Sequence, residues 1–192
     1  MAVEYELKFQ ATNQTLRLIE KAYSEESVVL SMETTYYDTP SGALSDRWYT
    51  LRRRLENGVS VCTLKAPAKQ GRGEWETESP TVEQAVDTLV ALGCPKVLPV
   101  LMEEGVVPVC GAKFTRRAKT VVLPEGIVEL ALDEGVLFGG GREEPLCEVE
   151  VELKSGAIEL CDAFAKTLAE EFQLTPLKAS KFRRALALYK GE

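Results

Sequence analysis

Eight short stretches of this chain alternate charged and apolar residues, and that period of two constrains the fold more than any other feature. A strand sends successive side chains to opposite faces, so residues two apart share a face. In E-Y-E-L-K, near the start, Glu4, Glu6 and Lys8 fall on one face while Tyr5, Leu7 and Phe9 fall on the other. The same reading places strands at roughly 2–9, 28–38, 47–55, 58–65, 72–79, 112–122, 126–134 and 145–153.

Helical patterns interleave with these strands. Residues 12–23 follow Thr12 and gather Leu16, Ile19, Ala22 and Tyr23 on one side. Residues 81–92 open with Thr81 and Gln84 in capping-box spacing and stop at Gly93. A third pattern covers 156–172, and a fourth follows Ser180. All four look amphipathic and are expected to pack outside a sheet. Turns fall at 39–42, 56–58, 66–73, 123–126 and 138–145, where Gly and Pro cluster, and their short spacing implies antiparallel hairpins. Residues 94–111, with Pro95, Pro99 and Pro108, read as an irregular connection within one domain spanning 1–192. G-G-G-R at 139–142 reads as a hairpin loop, since the Gly-Lys-Ser/Thr of a phosphate-binding loop is missing.

A single charged strand face is explained by solvent on one side of an antiparallel sheet. Here the pattern recurs with the charges sorted by strand. Arg52 and Arg54 share a face, as do Arg72, Glu74, Glu76 and Glu78, then Glu129 and Asp133, then Glu148, Glu150 and Glu152. With helices over the apolar side, the charged side can enclose a wet channel, because about eight tilted strands close around one small ligand. A lumen holding both signs of charge needs metal ions and an anionic ligand to neutralise it. Polyphosphate with Mg²⁺ or Mn²⁺ meets that need, with carboxylates on the cation and Arg or Lys on the phosphate oxygens.

Composition closes off other chemistries. The chain has no histidine, which excludes Ser-His and Cys-His nucleophilic sites and His-ligated metals. Lys and Arg total 23 against 30 Asp and Glu, for a net charge of −7, which argues against nucleic acid or anionic membrane as partner. The five cysteines are odd in number and widely spaced, as expected of reduced thiols in a cytoplasmic protein. No apolar run approaches ~18 residues, so neither a signal peptide nor a membrane span is expected.

E-Y-E-L-K resembles the E-x-E-x-K signature of the CYTH superfamily, the triphosphate tunnel metalloenzymes. Further marks follow in order: "YYDTPSGAL" at 36–44, "LRRR" at 51–54, "TLK" at 63–65, "RGEWE" at 72–76, "IVELALDEG" at 127–135, "CEVEVEL" at 147–153 and "SK" at 180–181. The resemblance implies an α+β fold built on a closed antiparallel eight-stranded barrel, with helices outside and a triphosphate in the tunnel. Carried over by position, Lys8, Arg52, Arg54, Lys65, Arg116 and Lys181 would grip the phosphates, Lys181 near the tunnel mouth. Glu4, Glu6, Glu148 and Glu150, with Glu129 and Asp133, would hold Mg²⁺ or Mn²⁺ and orient the attacking water, so that Glu4, Glu6, Lys8, Glu148 and Glu150 form the catalytic set. The wording is most like the inorganic triphosphatases, which release pyrophosphate and phosphate. Class IV adenylyl cyclases, thiamine or nucleoside triphosphatases, and a noncatalytic polyphosphate or nucleotide sensor are the alternatives.

Several placements stay open at this level. Either Arg116 or Arg117 faces inward, because a one-residue slip exchanges the faces. Either Glu74 or Glu76 is the acid of its strand. Tyr36, Tyr37 and Asp38 read as a turn anchor, Trp48 and Trp75 as core beneath helices, and Glu152 as a strand end in solvent. A homodimer is left open.

Overall fold

The computed structural model describes residues 2–3, 5–23, 26–68 and 72–192. Ten strands form one sheet among them: β1 (Ala2–Val3), β2 (Glu6–Gln10), β3 (Val28–Asp38), β4 (Thr50–Glu56), β5 (Val59–Pro67), β6 (Arg72–Glu78), β7 (Val107–Leu123), β8 (Gly126–Gly139), β9 (Arg142–Ser155) and β10 (Thr175–Pro176). Their order is β1-β6-β5-β4-β3-β7-β8-β9-β2-β10, and every pairing is antiparallel. The expected closed ring of eight is therefore corrected to an open order of ten. The first ten residues pair at both ends of that order, Ala2–Val3 with β6 and Glu6–Gln10 with β9. Between those two pairings Tyr5 is in no strand, although its carbonyl accepts from Leu153 N at 3.0 Å.

Local chemistry sets the hairpins. Gly140 and Gly141 both have positive φ, 57° and 75°, which joins β8 to β9 through a two-residue turn of the primed kind that matches strand twist. Asn57 and Gly58, at 48° and 88°, do the same between β4 and β5. Asp38 anchors the following turn, accepting from the backbone N–H groups of Thr39, Leu44 and Ser45 at 2.8–3.2 Å.

Helices α1 (Asn13–Ala22), α2 (Val82–Ala91), α3 (Leu98–Leu101), α4 (Ile158–Phe172) and α5 (Lys181–Lys190) complete the fold. Thr12, Thr81 and Ser180 cap α1, α2 and α5, each side chain accepting from the N–H three residues on. α1 and α4 bury Leu16, Ile19, Cys161, Ala165 and Leu168 against Phe9, Leu130, Leu132, Val149 and Val151. α2 and α3 bury Val82, Ala85, Leu89 and Leu98 against Leu51, Leu64 and Trp75. Both clusters use strand positions opposite in parity to the charged ones, as expected.

α5 departs from that expectation. Its Ala185 and Phe182 pack with Met32, Tyr36, Ala112, Phe114, Leu137 and Leu146, which alternate in register with Arg116, Asp133 and Glu148 and so share the charged face. The physical reason lies in strand length. β7 and β8 run to 107 and 139, past the expected ends, and their added lengths V-P-V-C-G and G-V-L-F-G carry no charge on either face. That gives a helix a greasy seat on the inner side, worth ~1.5–3 kcal/mol for each fully buried Leu such as Leu137 and Leu146. Gly139 lets α5 approach: a Cβ there would stand 2.5 Å from Ala185 O.

Two smaller corrections follow. Residues 94–111 are not irregular throughout, since they contain α3, a short 3-10 turn at Met102–Glu104 and the start of β7. Trp75 is core, but Trp48 is 62% exposed and left-handed (φ 61°), with the Arg183 guanidinium 4.2 Å from its ring centroid. No helix among the described residues is long and apolar enough to cross a membrane.

Candidate active site

The charged faces of β2 to β9, together with the first turn of α5, line a cavity of about 710 Å³. Its chemistry is divided between two walls. β7, β8, β9 and β2 supply the acidic wall. Register places Arg116 opposite Asp133, Asp133 opposite Glu148, and Lys8 opposite Glu150. Asp133, Glu148 and Glu150 are buried, and one carboxylate oxygen from each lies within 4.8 Å of the others.

Buried carboxylates at that spacing demand counter-charge, and the chain provides it. Arg116 makes a two-pronged pair with Asp133 (Nε–Oδ1 2.8 Å, Nη2–Oδ2 2.7 Å) and also donates to Glu150. Lys181 Nζ lies 2.8 Å from Asp133, 2.5 Å from Glu148 and 2.8 Å from Glu150. Lys8 Nζ lies 2.6 Å from Glu6 and 4.0 Å from Glu150. Arg184 donates to Glu148 and, through Nε at 3.0 Å, to Glu144.

The acid strengths follow from this geometry. Burial resists the Glu150 charge, but Lys181, Arg116 and Lys8 together hold that carboxyl well below its usual range. Burial prevails at Glu148, which is pushed up although Lys181 and Arg184 oppose it. Lys181 is raised, since Asp133, Glu150 and Glu148 outweigh the burial that resists its charge; Lys8 is raised likewise, by Glu150 and Glu6.

The opposite wall is basic. Arg52 and Arg54 of β4, Lys65 of β5 and Arg72 of β6 line it, with Glu74 and Glu76. Glu74 pairs with Lys65 at 3.2 Å and Arg52 at 3.4 Å, while Arg54 has Glu56 at 3.8 Å. The Nε atoms of Arg52 and Arg54 are buried without a hydrogen-bond partner. Burial, with the Arg52 and Arg116 charges nearby, pushes Arg54 down to about 10. This wall is short of negative charge, which is the condition a bound anion would relieve.

The structure gathers Glu6, Lys8, Arg52, Arg54, Lys65, Arg116, Glu129, Glu150 and Lys181 around the cavity and sets Asp133 and Glu148 behind it in the ion-pair cluster. Glu4 lies outside the described residues. Arg116 faces inward, while Arg117 turns away to Glu20 at 3.3 Å and Glu134 at 3.4 Å. Both Glu74 and Glu76 face the cavity. Lys181 is buried among the carboxylates rather than standing at the mouth, because α5 enters from the inner side. Glu129 lines the cavity outside the carboxylate triad and pairs with Lys154 at 3.6 Å; Glu152, 2.8 Å from Lys154, also faces inward instead of ending in solvent. Sequence reasoning missed Arg184 and Lys154. Arg184 follows Lys181 by three residues after a Ser180 cap, a spacing that puts both on one helix face.

Among hard cations, Mg²⁺ and Mn²⁺ suit an all-oxygen donor set of this kind, and Asp133, Glu148 and Glu150 are the described carboxylates spaced to fit it.

Comparisons with known proteins show the family and the fold. The CYTH domain family matches residues 2–186. An inorganic triphosphatase of Haemophilus influenzae is 30% identical over 162 residues, covering 83% of this chain and 46% of that protein, so the chain spans about half the length of that relative. Among solved structures, a Hippeastrum protein named as an adenylyl cyclase and described as having a dominant triphosphatase activity has a TM-score of 0.66 at 20% identity, over 99% of this chain and 97% of that one. A Pyrococcus horikoshii protein scores 0.64 at 22% identity, over 95% and 98%. A Bacillus halodurans protein named as an adenylate cyclase scores 0.61 at 15% identity, over 93% and 94%. With a family match over nearly its whole length and a fold shared with these structures, the chain belongs to the CYTH domain family.

Proposed function

We propose that this chain, acting as a single domain, hydrolyses inorganic triphosphate to pyrophosphate and phosphate with Mg²⁺ or Mn²⁺. The observation that carries the reading is the basic wall: two half-buried arginines whose buried Nε donors have no partner, facing an acidic cluster across one cavity. The Haemophilus relative is named for this activity, which supports the choice of substrate.

In this reading Arg52, Arg54 and Lys65 hold the phosphate chain from one side, and Lys8, Arg116 and Lys181 from the other. Glu6 and Glu150, with Glu4, accept hydrogen bonds from the attacking water and turn its lone pair toward the terminal phosphorus. The water oxygen bonds to that phosphorus, the bridging P–O bond breaks, pyrophosphate departs with the bond's electrons, and the water's proton passes to solvent. Phosphoryl transfer asks for positioning and charge stabilisation rather than covalent catalysis, so the absence of histidine is no obstacle. Glu4, Glu6, Asp133, Glu148 and Glu150, with Glu129, would hold Mg²⁺ or Mn²⁺, which would supply Lewis-acid stabilisation of the phosphate oxygens and a more acidic water.

The test incubates the pure protein with triphosphate, ATP and thiamine triphosphate in parallel, with Mg²⁺ and with EDTA. Metal-dependent loss of triphosphate exceeding that of the other two supports the reading. Release of cyclic AMP and pyrophosphate from ATP, with triphosphate untouched, would replace it with the cyclase reading.

A further inference from the structure

All six oxygens of Asp133, Glu148 and Glu150 are already engaged by cations of the protein itself. Arg116 takes both oxygens of Asp133 and Oε2 of Glu150. Arg184 takes Oε1 of Glu148. Lys181 alone reaches all three residues, at Asp133 Oδ2, Glu148 Oε2 and Glu150 Oε1. Lys181, Arg116 and Arg184 thus meet these three carboxylates, with Lys8 4.0 Å from Glu150 and Glu144 sharing Arg184, and Asp133, Glu148, Glu150 and Lys181 are buried. A divalent cation entering without the departure of a resident cation would add two positive charges to a cluster whose carboxylate oxygens are already taken, which a buried site resists strongly.

We propose that Lys181 is a displaceable counter-ion: it competes with the divalent cation for Asp133, Glu148 and Glu150, and triphosphate relieves the competition by drawing the ammonium onto its own oxygens. Lys181 is suited to leave where Arg116 is not. Arg116 sits within a strand and is fixed by a two-pronged pair, whereas Lys181 occupies the first turn of α5 on a flexible four-carbon stem. It also lines the cavity beside Phe114, whose ring centroid is 5.3 Å from Nζ, so the ammonium borders the space a phosphate chain would fill. Metal and triphosphate then strengthen each other's binding by the same factor, as linkage requires. The second half of this proposal rests on the triphosphate reading above; the first does not.

Binding of Mn²⁺ to the protein without triphosphate, followed by the electron paramagnetic resonance of free Mn²⁺, separates the two. Lys181→Met should bind Mn²⁺ at least about tenfold more tightly than wild type, and Lys181→Arg no more tightly. Unchanged or weaker Mn²⁺ binding by a cooperatively melting Lys181→Met overturns the competition. Should that variant fail to fold, Arg184→Gln takes its place, since it frees Glu148 Oε1: tighter Mn²⁺ binding supports the proposal and unchanged or weaker binding overturns it. A second arm measures the thermal shift given by inorganic triphosphate in EDTA, which Lys181→Met should reduce; a full shift overturns the relief step. If Mn²⁺ binds as expected while wild type leaves triphosphate uncleaved, the hydrolysis reading fails and the competition stands.

Discussion

Replacing Arg54 by methionine should stabilise the fold while removing its ability to hold a phosphate chain. Holding a guanidinium at about 10 instead of 12.5 corresponds to ~3 kcal/mol against the charged form. The causes are burial first, then the Arg52 and Arg116 charges. Its Nε has no partner, and Glu56, at 3.8 Å, is the acid paired with it. Methionine keeps most of the aliphatic stem and discards the charge and the orphaned donor. Exchange of buried charge for apolar volume is often stabilising by ~1–4 kcal/mol. We expect a net gain of about 1–3 kcal/mol, which for a chain of this size raises Tm by roughly 3–10 °C. Both values of the Arg54 constant lie above the neutral range, so the group is charged folded and unfolded alike, and the gain should not vary between about pH 6 and 9. Differential scanning fluorimetry of both proteins, with and without triphosphate in EDTA, reads both effects. A fall in Tm for Arg54→Met, or an undiminished triphosphate shift, would show that Arg54 is a structural cation and refute the reasoning.

Three further outcomes are expected. Lys8→Met should weaken metal-free triphosphate binding, whereas Glu6→Gln should leave it equal or tighter and yet lose most turnover, because without metal the carboxylate only repels the ligand; thermal shift in EDTA and a phosphate-release assay separate them, a bound ligand at about 100 Kd being worth ~2.7 kcal/mol. Glu150→Gln should lower Tm at pH 7, since it breaks contacts to Lys181 and Arg116. Because Glu150 is held below its usual range, that contribution is complete above the ordinary carboxylate value and fades as pH falls through the lower folded value, so the Tm gap should narrow in melts below about pH 4. Glu148, shifted up, opposes this in sign: its charge costs stability near neutrality, and that cost is relieved as pH falls through its raised value. Turnover should rise from about pH 6 to 9, where the attacking water loses its proton more readily; a rate profile peaking below about pH 6 would point to a carboxylic acid catalyst instead.

Where one face of a strand is charged and the other apolar, alternation alone tells which side chains share a face. Glu6 and Lys8, Arg52 and Arg54, and Glu148 and Glu150 each share a face because side chains two apart must. Arg116 and Arg117 could not be separated that way, since both are charged and the choice depends on register; pairing of Arg116 with Asp133 and Leu30 decides it. The end of the cavity was hidden for a related reason. In the extensions of β7 and β8 neither face carries charge, so the period of two disappears where the inner wall starts meeting α5. A helix read as an outer cover therefore proves to be an inner one, carrying Lys181 and Arg184 into the carboxylates. Trp48 reads as core on the side opposite the charges, but a left-handed backbone after a 3-10 turn directs it outward.

Phosphorus NMR of inorganic triphosphate incubated with the wild-type chain and Mg²⁺ tests the central claim most directly. The account expects one pyrophosphate and one phosphate for each triphosphate consumed, no turnover in EDTA, and at most a small residual rate in Arg54→Met. A folded protein that leaves the triphosphate resonances unchanged with Mg²⁺ and with Mn²⁺ would contradict it.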